Sequence, residues 1–230
     1  HSRCIGFLEH FRFSSNRENA LSFCFDAIPG AKPLRTFAGI AFSGADDAMD
    51  EGRPADDIAT LGAAIAACRL CRDAPAKADD PLPHEPRPVA VLSGTARILI
   101  AGQAPGLRVH NSGLPFNDAS GDRLRTWMGV DRETFYNPAR FAIVPMGLCF
   151  PGYDAKGHDL PPRRECAPLW RARILEAMPQ VELVLAIGQY AQAWHLGTAR
   201  KATMTETVAA WRSYFFANAG PRVLPLPHPS

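Results

Sequence analysis

Four short apolar segments, separated by stretches with helical periodicity, constrain the fold of this chain most strongly. The segments are 97–101 (RILIA), 141–145 (FAIVP), 181–187 (VELVLAI) and 222–226 (RVLPL), and helical repeats occupy 121–128, 163–178, 189–196 and 207–217. Short apolar segments of this kind are typical of buried strands. Strands that alternate with helices form a parallel sheet with helices on both faces. We therefore predict a three-layer α/β/α domain around a four-stranded parallel central sheet.

The N-terminal part of the chain lacks this pattern. Residues 1–55 hold no sustained helical or strand period, and we predict an irregular extension that is either disordered or foreign to the natural protein. The domain is expected to span 56–230 and to begin with a helix over 58–70. No apolar run approaches membrane-spanning length and no secretory signal is evident. We expect a soluble, cytoplasmic, monomeric protein.

Three unusual loops follow the predicted strands, at 102–106, 147–151 and 228–230. In parallel sheets the functional site lies beyond the carboxyl ends of the strands. The glycines of 102–106 permit close approach of a ligand, and Pro105 stiffens the loop. The loop lacks the lysine and the glycine spacing of phosphate-cradling motifs. A tight strand-to-helix turn without function remains an alternative for this loop alone.

The order of three motifs resembles the uracil-DNA glycosylase superfamily over about residues 60–230. These motifs are Gly-Gln-Ala-Pro-Gly at 102–106, Gly-Leu-Pro-Phe ending at Phe116, and the His-Pro-Ser that begins at His228. The chain is most similar to the iron–sulfur branch, family 4, and its Asp-x-Ser-Gly after Phe116 is similar to family 5. The loop residues included in the resemblance are Gly102, Ala104, Pro105, Gly106, Pro229 and Ser230.

The resemblance implies a monofunctional base-excision enzyme that removes uracil from single- or double-stranded DNA. It implies that Gln103 faces the sugar and the attacking water, that Phe116 stacks on the extruded base, and that Asp118 orients the water. His228 would contact the base carbonyl O2 and steady the departing anion. Such a reaction needs a donor at the base oxygen and a carboxylate near the cationic sugar, and the base must leave the duplex.

Structural alternatives exist for these residues and for the whole chain. Phe116 could be an ordinary core residue, and Asp118 could be the N-cap of the helix that follows it. The chain could instead be a non-catalytic or product-trapping uracil-DNA binding module on the same fold, or a small-molecule nucleoside hydrolase. The net charge of +2 permits a nucleic-acid partner without requiring one.

Four cysteines, Cys68, Cys71, Cys149 and Cys166, follow the layout of the cluster ligands in the iron–sulfur glycosylases. The resemblance therefore implies a structural 4Fe-4S cluster. Thiolates also suit zinc, although zinc ribbons prefer two Cys-x-x-Cys pairs and the second pair here is widely split. Unliganded thiols are the third alternative.

One position departs from the family pattern. The iron–sulfur glycosylases place an asparagine at the end of the second strand to recognise uracil, and here that position is Pro145, which offers no amide. Asn111, Asn117, or main-chain groups of Met146 and Gly147 are the candidates to contact the base instead. Selectivity for uracil alone is thus open, and hypoxanthine or xanthine are further candidate substrates. We also expect residues beyond Ser230, because the family continues there with a loop that wedges into DNA.

Six arginines could contact DNA phosphates, since neutralised phosphates supply much of the affinity for DNA. Each could instead lie on a solvated helix face. They are Arg123, Arg125, Arg163, Arg164, Arg171 and Arg173.

Overall fold

The structure, a computed structural model, describes residues 57–217 and 220–230, so the predicted extension over 1–55 lies outside the described residues. Its strands are β1 (Ile98–Ala101), β2 (Phe141–Ile143), β3 (Leu183–Ile187) and β4 (Arg222–Leu226). They form one sheet in the order β2-β1-β3-β4, and every neighbouring pair is parallel. The predicted four-stranded parallel sheet is confirmed.

The helices cover both faces of this sheet, which makes the predicted three layers. They are α1 (Ile58–Ala66), α2 (Leu70–Asp73), α3 (Leu107–Ser112), α4 (Ala119–Met128), α5 (Arg132–Phe135), α6 (Cys166–Ala177), α7 (Gly188–Leu196), α8 (Met204–Ala209) and α9 (Trp211–Phe215), with a 3₁₀ turn at Gly197–Ala199. Among the described residues, no helix is long and apolar enough to cross a membrane.

Three predicted boundaries are wrong, each for a local reason. The helix expected over 58–70 ends at Ala66, and Arg69, with φ −126°, separates it from α2. The helix expected over 207–217 is divided at Ala210, whose ψ of 13° departs from helical values. Strand β2 ends at Ile143, and Pro145, two residues later, has no N–H with which to continue the pairing of Ile143 with Val91 on the outer edge.

Alternating strand residues build two cores, one on each face of the sheet, as the period of a strand requires. One core contains Leu99, Ala101, Val184 and Ala186 with Leu61 of α1 and Ile174 of α6. The other contains Ile100, Leu185 and Ile187 with Leu124 of α4, Phe135 of α5 and Trp211 of α9. Because all four strands run in one direction, the loops after them meet at one edge of the sheet.

Candidate active site

A cleft opens at the carboxyl edge of the sheet, with an empty volume of about 560 Å³. It brings together four residues that the sequence predicted to act there, Gln103, Phe116, Asp118 and His228, and it adds Asp159. The rest of the lining consists of Val89, Gly102, Ala104, Pro105, Gly106, Val109, Pro115, Ser120, Ile143 and Pro145. We refer to it as the cleft.

The β1 loop, residues 102–106, is fixed to the chain that follows β2. The amide of Met146 donates to the carbonyl of Gly102, and the amide of Gly147 donates to that of Gln103, both at 2.9 Å. Gly147 is also packed, since a Cβ there would lie 3.0 Å from the Pro162 side chain. The N–H groups of Met146 and Gly147, predicted as base contacts, are therefore already used inside the protein.

The two asparagines predicted to contact the base do not line the cleft. The side-chain oxygen of Asn117 accepts a hydrogen bond from Arg132 at 3.0 Å. Asn111 is exposed, and its carbonyl accepts from the Arg87 guanidinium at 2.8 Å. Neither amide is thus placed by this structure to recognise a base inside the cleft.

Phe116 is held in an unusual conformation at the cleft. Its φ is +54°, the one positive φ of a non-glycine residue in the described part of the chain, and such a backbone costs energy that the surroundings must supply. Its carbonyl accepts from Arg125 at 3.3 Å and lies 3.1 Å from the Tyr136 hydroxyl. Its ring packs edge-on against Phe135 and lies close over Gly102. Phe116 therefore both contacts the core and presents a partly exposed ring to the cleft.

Asp118 is the N-cap of α4 as well as a cleft residue. Its Oδ1 accepts from the amide of Gly121 at 2.9 Å and from the hydroxyl of Ser120 at 2.6 Å. Among the described residues, no hydrogen bond is made to its Oδ2. The two interpretations of Asp118 are therefore compatible, because one oxygen caps the helix and the other is available to a ligand.

His228 follows β4 and lines the cleft. It lies beside the start of α7, where a Cβ on Gly188 would be 4.0 Å from the His228 ring. Although the residue is exposed, partial burial of its ring lowers the pKa of His228, and the nearby carboxylates of Asp118 and Asp159 oppose that shift. The neutral imidazole is thus favoured near pH 7, and it keeps one N–H to donate. Of the two residues that complete the loop, Pro229 is buried and Ser230 is exposed.

Asp159 is a cleft residue that the sequence analysis missed. It lies on a hairpin, residues 152–160, whose turn is closed by Asp154 accepting from the amides of Lys156 and His158. Asp159 is exposed, but partial burial of its carboxylate and the charge of Asp118 raise the pKa of Asp159, while His228 lowers it. The glycine at 157 indicates a turn, but nothing in the sequence shows that this hairpin folds back over the β1 loop.

The four predicted ligand cysteines converge on a second cavity, the cysteine cavity. Cys68, Cys71, Cys149 and Cys166 line it together with Leu70, Pro86, Pro88, Leu148 and Trp170. Burial raises the pKa of the Cys71 thiol to about 11 and those of Cys149 and Cys166 to about 12. Within the described residues, no three or more His, Cys, Asp or Glu side chains form a group that could hold a metal ion.

Two of the arginines expected to contact DNA are buried, so that prediction is wrong for them. Arg125 is 6% exposed and Arg171 is 1% exposed. Arg125 holds the Phe116 carbonyl, whereas Arg171 donates to the carbonyl of Val144 at 2.8 Å. A guanidinium whose donors are used on carbonyls can be buried, which sequence periodicity does not reveal.

The other four arginines differ in their surroundings. Arg163 is mostly covered and pairs with Asp80 and Glu165. Arg173 packs over the Trp170 ring at 4.8 Å. Arg123 and Arg164 are exposed, and they remain predicted phosphate contacts.

Comparison with known families places the fold and this cleft in one class of protein. Residues 90–230 match the model of the Uracil DNA glycosylase superfamily, which covers every strand and every cleft residue except Val89. The chain belongs to that superfamily.

Proposed function

We propose that this chain is a monofunctional DNA glycosylase that hydrolyses the N-glycosidic bond of uracil or another deaminated base and leaves an abasic site. The observation that carries the proposal is the meeting of Gln103, Phe116, Asp118 and His228 in one cleft. His228 supplies a hydrogen-bond donor, Asp118 a carboxylate, Gln103 an amide and Phe116 an aromatic ring. Cleavage of this bond uses such groups to hold the base, stabilise the charges and position the water. A cleft on the protein surface also fits a base that has been flipped out of DNA.

The roles follow from the charges that develop as the bond breaks. The bonding electrons move to the base, and the neutral His228 imidazole donates its N–H to the carbonyl O2 that gains negative charge. The free oxygen of Asp118 faces the cationic sugar and accepts a proton from the attacking water. Gln103 orients that water, and the Phe116 ring stacks on the base.

We further propose a 4Fe-4S cluster in the cysteine cavity, with Cys68, Cys71, Cys149 and Cys166 as ligands. The four sulfurs line one cavity among apolar side chains, which suits a cluster that occupies the space between them, although they do not form a group, within the described residues, that could hold a single metal ion. The amide of Leu148 donates to the Cys166 sulfur at 3.3 Å, a contact that stabilises a ligating thiolate. When bound, the cluster would join the loop after β2 to α2 and α6, a structural role rather than a step of the reaction.

The test is base release from oligonucleotides that carry one uracil, in single strands and in duplexes. Alkali should cleave the product at the abasic site, and free uracil should appear in equal amount. Binding without release would support the non-catalytic alternative. A covalent protein–DNA adduct that survives denaturation would support the product-trapping one, and either result would contradict the proposed hydrolysis.

A further inference from the structure

The hydrogen-bonding edge of the base lacks an assigned partner in this cleft. Pro145 lines the cleft but has neither an amide nor an N–H. The amides of Met146 and Gly147 already bond to the β1 loop. Asn111 and Asn117 lie outside the lining. We therefore consider the polar side chains of the lining as the groups that contact the base edge.

Few polar side chains of the cleft remain once the chemical roles are assigned. His228 serves the carbonyl O2, and Gln103 serves the water. Ser120 donates its hydroxyl to Asp118, whose carboxylate caps α4. The remaining polar side chain of the lining is Asp159.

The position of Asp159 suits contact with a base. The hairpin returns towards the β1 loop, and the Oδ2 of Asp159 lies 3.5 Å from the point where a Cβ on Gly106 would be. The hairpin is held by the Leu160 amide, which donates to the carbonyl of Gly152 at 2.9 Å. A backbone bridge between Tyr153 and Asp159 adds to this. Asp159 is thus carried by a closed turn rather than by an unsupported loop.

We propose that Asp159 is the specificity-determining residue of the cleft and that its carboxylate accepts a hydrogen bond from the ring N–H shared by deaminated bases. The inference rests on the proposed glycosylase function. Uracil carries this N–H at N3, and hypoxanthine and xanthine carry it at N1. Cytosine and adenine present a lone pair at the same positions, which a carboxylate repels. One acceptor therefore selects a class of bases instead of a single base.

Asp159 lies within electrostatic reach of Asp118 and His228. Partial burial and the charge of Asp118 raise the pKa of Asp159, and the charge of His228 lowers it. An ionised carboxylate is an acceptor without a proton to donate. A carboxylate placed against the ring nitrogen attracts an N–H and repels a lone pair, so it favours a base that carries the hydrogen.

The experiment compares single-turnover excision of uracil, hypoxanthine and cytosine by the wild-type protein, Asp159→Leu and Asp159→Asn. For Asp159→Leu we expect the preference for uracil over cytosine to fall by about 10- to 100-fold, because a hydrogen bond to a charged group is lost. Asp159→Asn keeps the size of the side chain, and its amide can rotate to donate to cytosine. It should therefore lose less uracil excision than Asp159→Leu, while its relative excision of cytosine rises about tenfold.

A second measurement separates recognition from catalysis. Free uracil should inhibit the wild-type protein more strongly than 3-methyluracil, which lacks the N3 hydrogen, and Asp159→Leu should reduce this difference. Asp154→Asn, which removes the same charge from the same hairpin, is the matched control and should keep the wild-type preference. The melting transition of every variant is first compared with that of the wild-type protein, so that only folded variants are tested.

Three outcomes are distinguishable. An unchanged uracil-to-cytosine ratio in both Asp159 variants overturns the inference. An equal loss on every substrate also overturns it, because Asp159 would then act on the sugar or the water. No base release by the wild-type protein from any substrate contradicts the proposed function itself, whereas wild-type release with unchanged ratios leaves that function standing.

Discussion

A Cβ atom on Gly121 would lie 1.8 Å from the carbonyl oxygen of Phe116. The first turn of α4 therefore packs directly on the backbone that carries the Phe116 ring. We expect Gly121→Ala to push Phe116 out of position and to destabilise the protein by about 1–3 kcal/mol, as overpacking does. Displacement of the ring should also slow excision by about 100-fold. Chemical denaturation and single-turnover kinetics measure the two effects.

The control for this substitution is Gly62→Ala in α1. A Cβ there would meet its nearest neighbour, Leu92, at 3.9 Å, an ordinary contact. Alanine should stabilise this helix by about 0.5–1 kcal/mol and leave excision unchanged. Wild-type stability and rate in Gly121→Ala would show that the loop of Phe116 adapts freely.

Asp118 combines a cap with a proposed catalytic role, and Asp118→Asn separates them. Asparagine is as good an N-cap as aspartate, so stability should change little. Excision should fall by about 10²–10⁴-fold, because the acceptor for the proton of water is lost. DNA binding should persist, since the charge acts mainly on the transition state.

Two further variants make the Asp118 result interpretable. Asp118→Ala should lose the cap as well, at a cost of about 0.5–2 kcal/mol. Asp131→Asn alters the N-cap of α5, which accepts from Thr134 at 2.7 Å and does not line the cleft, and it should keep full activity. A wild-type rate for Asp118→Asn at several pH values would remove Asp118 from the mechanism.

The sheet and the position of the main cleft residues could be predicted, because each is indicated by a short stretch of neighbouring residues. Each strand is a run of apolar residues, and the loops that follow strands of a parallel sheet necessarily share one edge. The sequence left Phe116 and Asp118 with two alternatives each, and the structure shows that core contact and cleft contact, or cap and cleft position, coexist. The two alternatives do not exclude each other, because the two faces of the Phe116 ring and the two carboxylate oxygens of Asp118 can make different contacts.

The features that the sequence did not predict depend on contacts between segments that are distant along the chain. Asp159 lies 41 residues after Asp118 by their numbering, and only the folded hairpin brings it to the same cleft. Arg125 and Arg171 were expected at the surface, but main-chain carbonyls that no periodicity reveals accept their N–H groups. The left-handed backbone of Phe116 was also unforeseen, because phenylalanine rarely adopts it.

His228 is expected to control the acid side of the pH profile. Its pKa lies below the ordinary value of 6.5, so the imidazole is neutral at pH 7 and becomes charged only in more acidic solution. If the neutral ring is the competent donor, excision should decline as the pH falls through this lowered pKa. In Asp159→Asn the pKa should fall further, because a carboxylate that favours the charged ring is removed. Histidine NMR titration measures this shift, and an upward shift would contradict the assigned proximity.

Iron analysis tests the cysteine cavity. Protein prepared without oxygen should be brown and should contain iron and inorganic sulfide. Cys149→Ser should lower the iron content, because a cluster ligand is lost, whereas Cys24→Ser, outside the four-cysteine set, should retain it. Fully folded wild-type protein that holds zinc, or no metal, would falsify the cluster assignment.

Arg171 contacts His195, whose Nε2 lies 2.6 Å from an Nη atom of the guanidinium. A guanidinium has no lone pair to offer, so His195 must be the neutral acceptor. Burial and the charge of Arg171 hold the pKa of His195 well below 6.5. Below about pH 6.5 the unfolded chain therefore binds a proton that the folded protein does not.

The free energy of unfolding should consequently be highest above pH 6.5 and fall in more acidic solution. This histidine contributes up to about 1.4 kcal/mol per pH unit, the value for one proton. In His195→Gln the acid slope of stability should be smaller by that amount, while the amide can still accept from Arg171. Urea denaturation between pH 7 and pH 5 measures both slopes. Equal slopes in the two proteins would mean that His195 takes up its proton in the folded state, against the contact with Arg171.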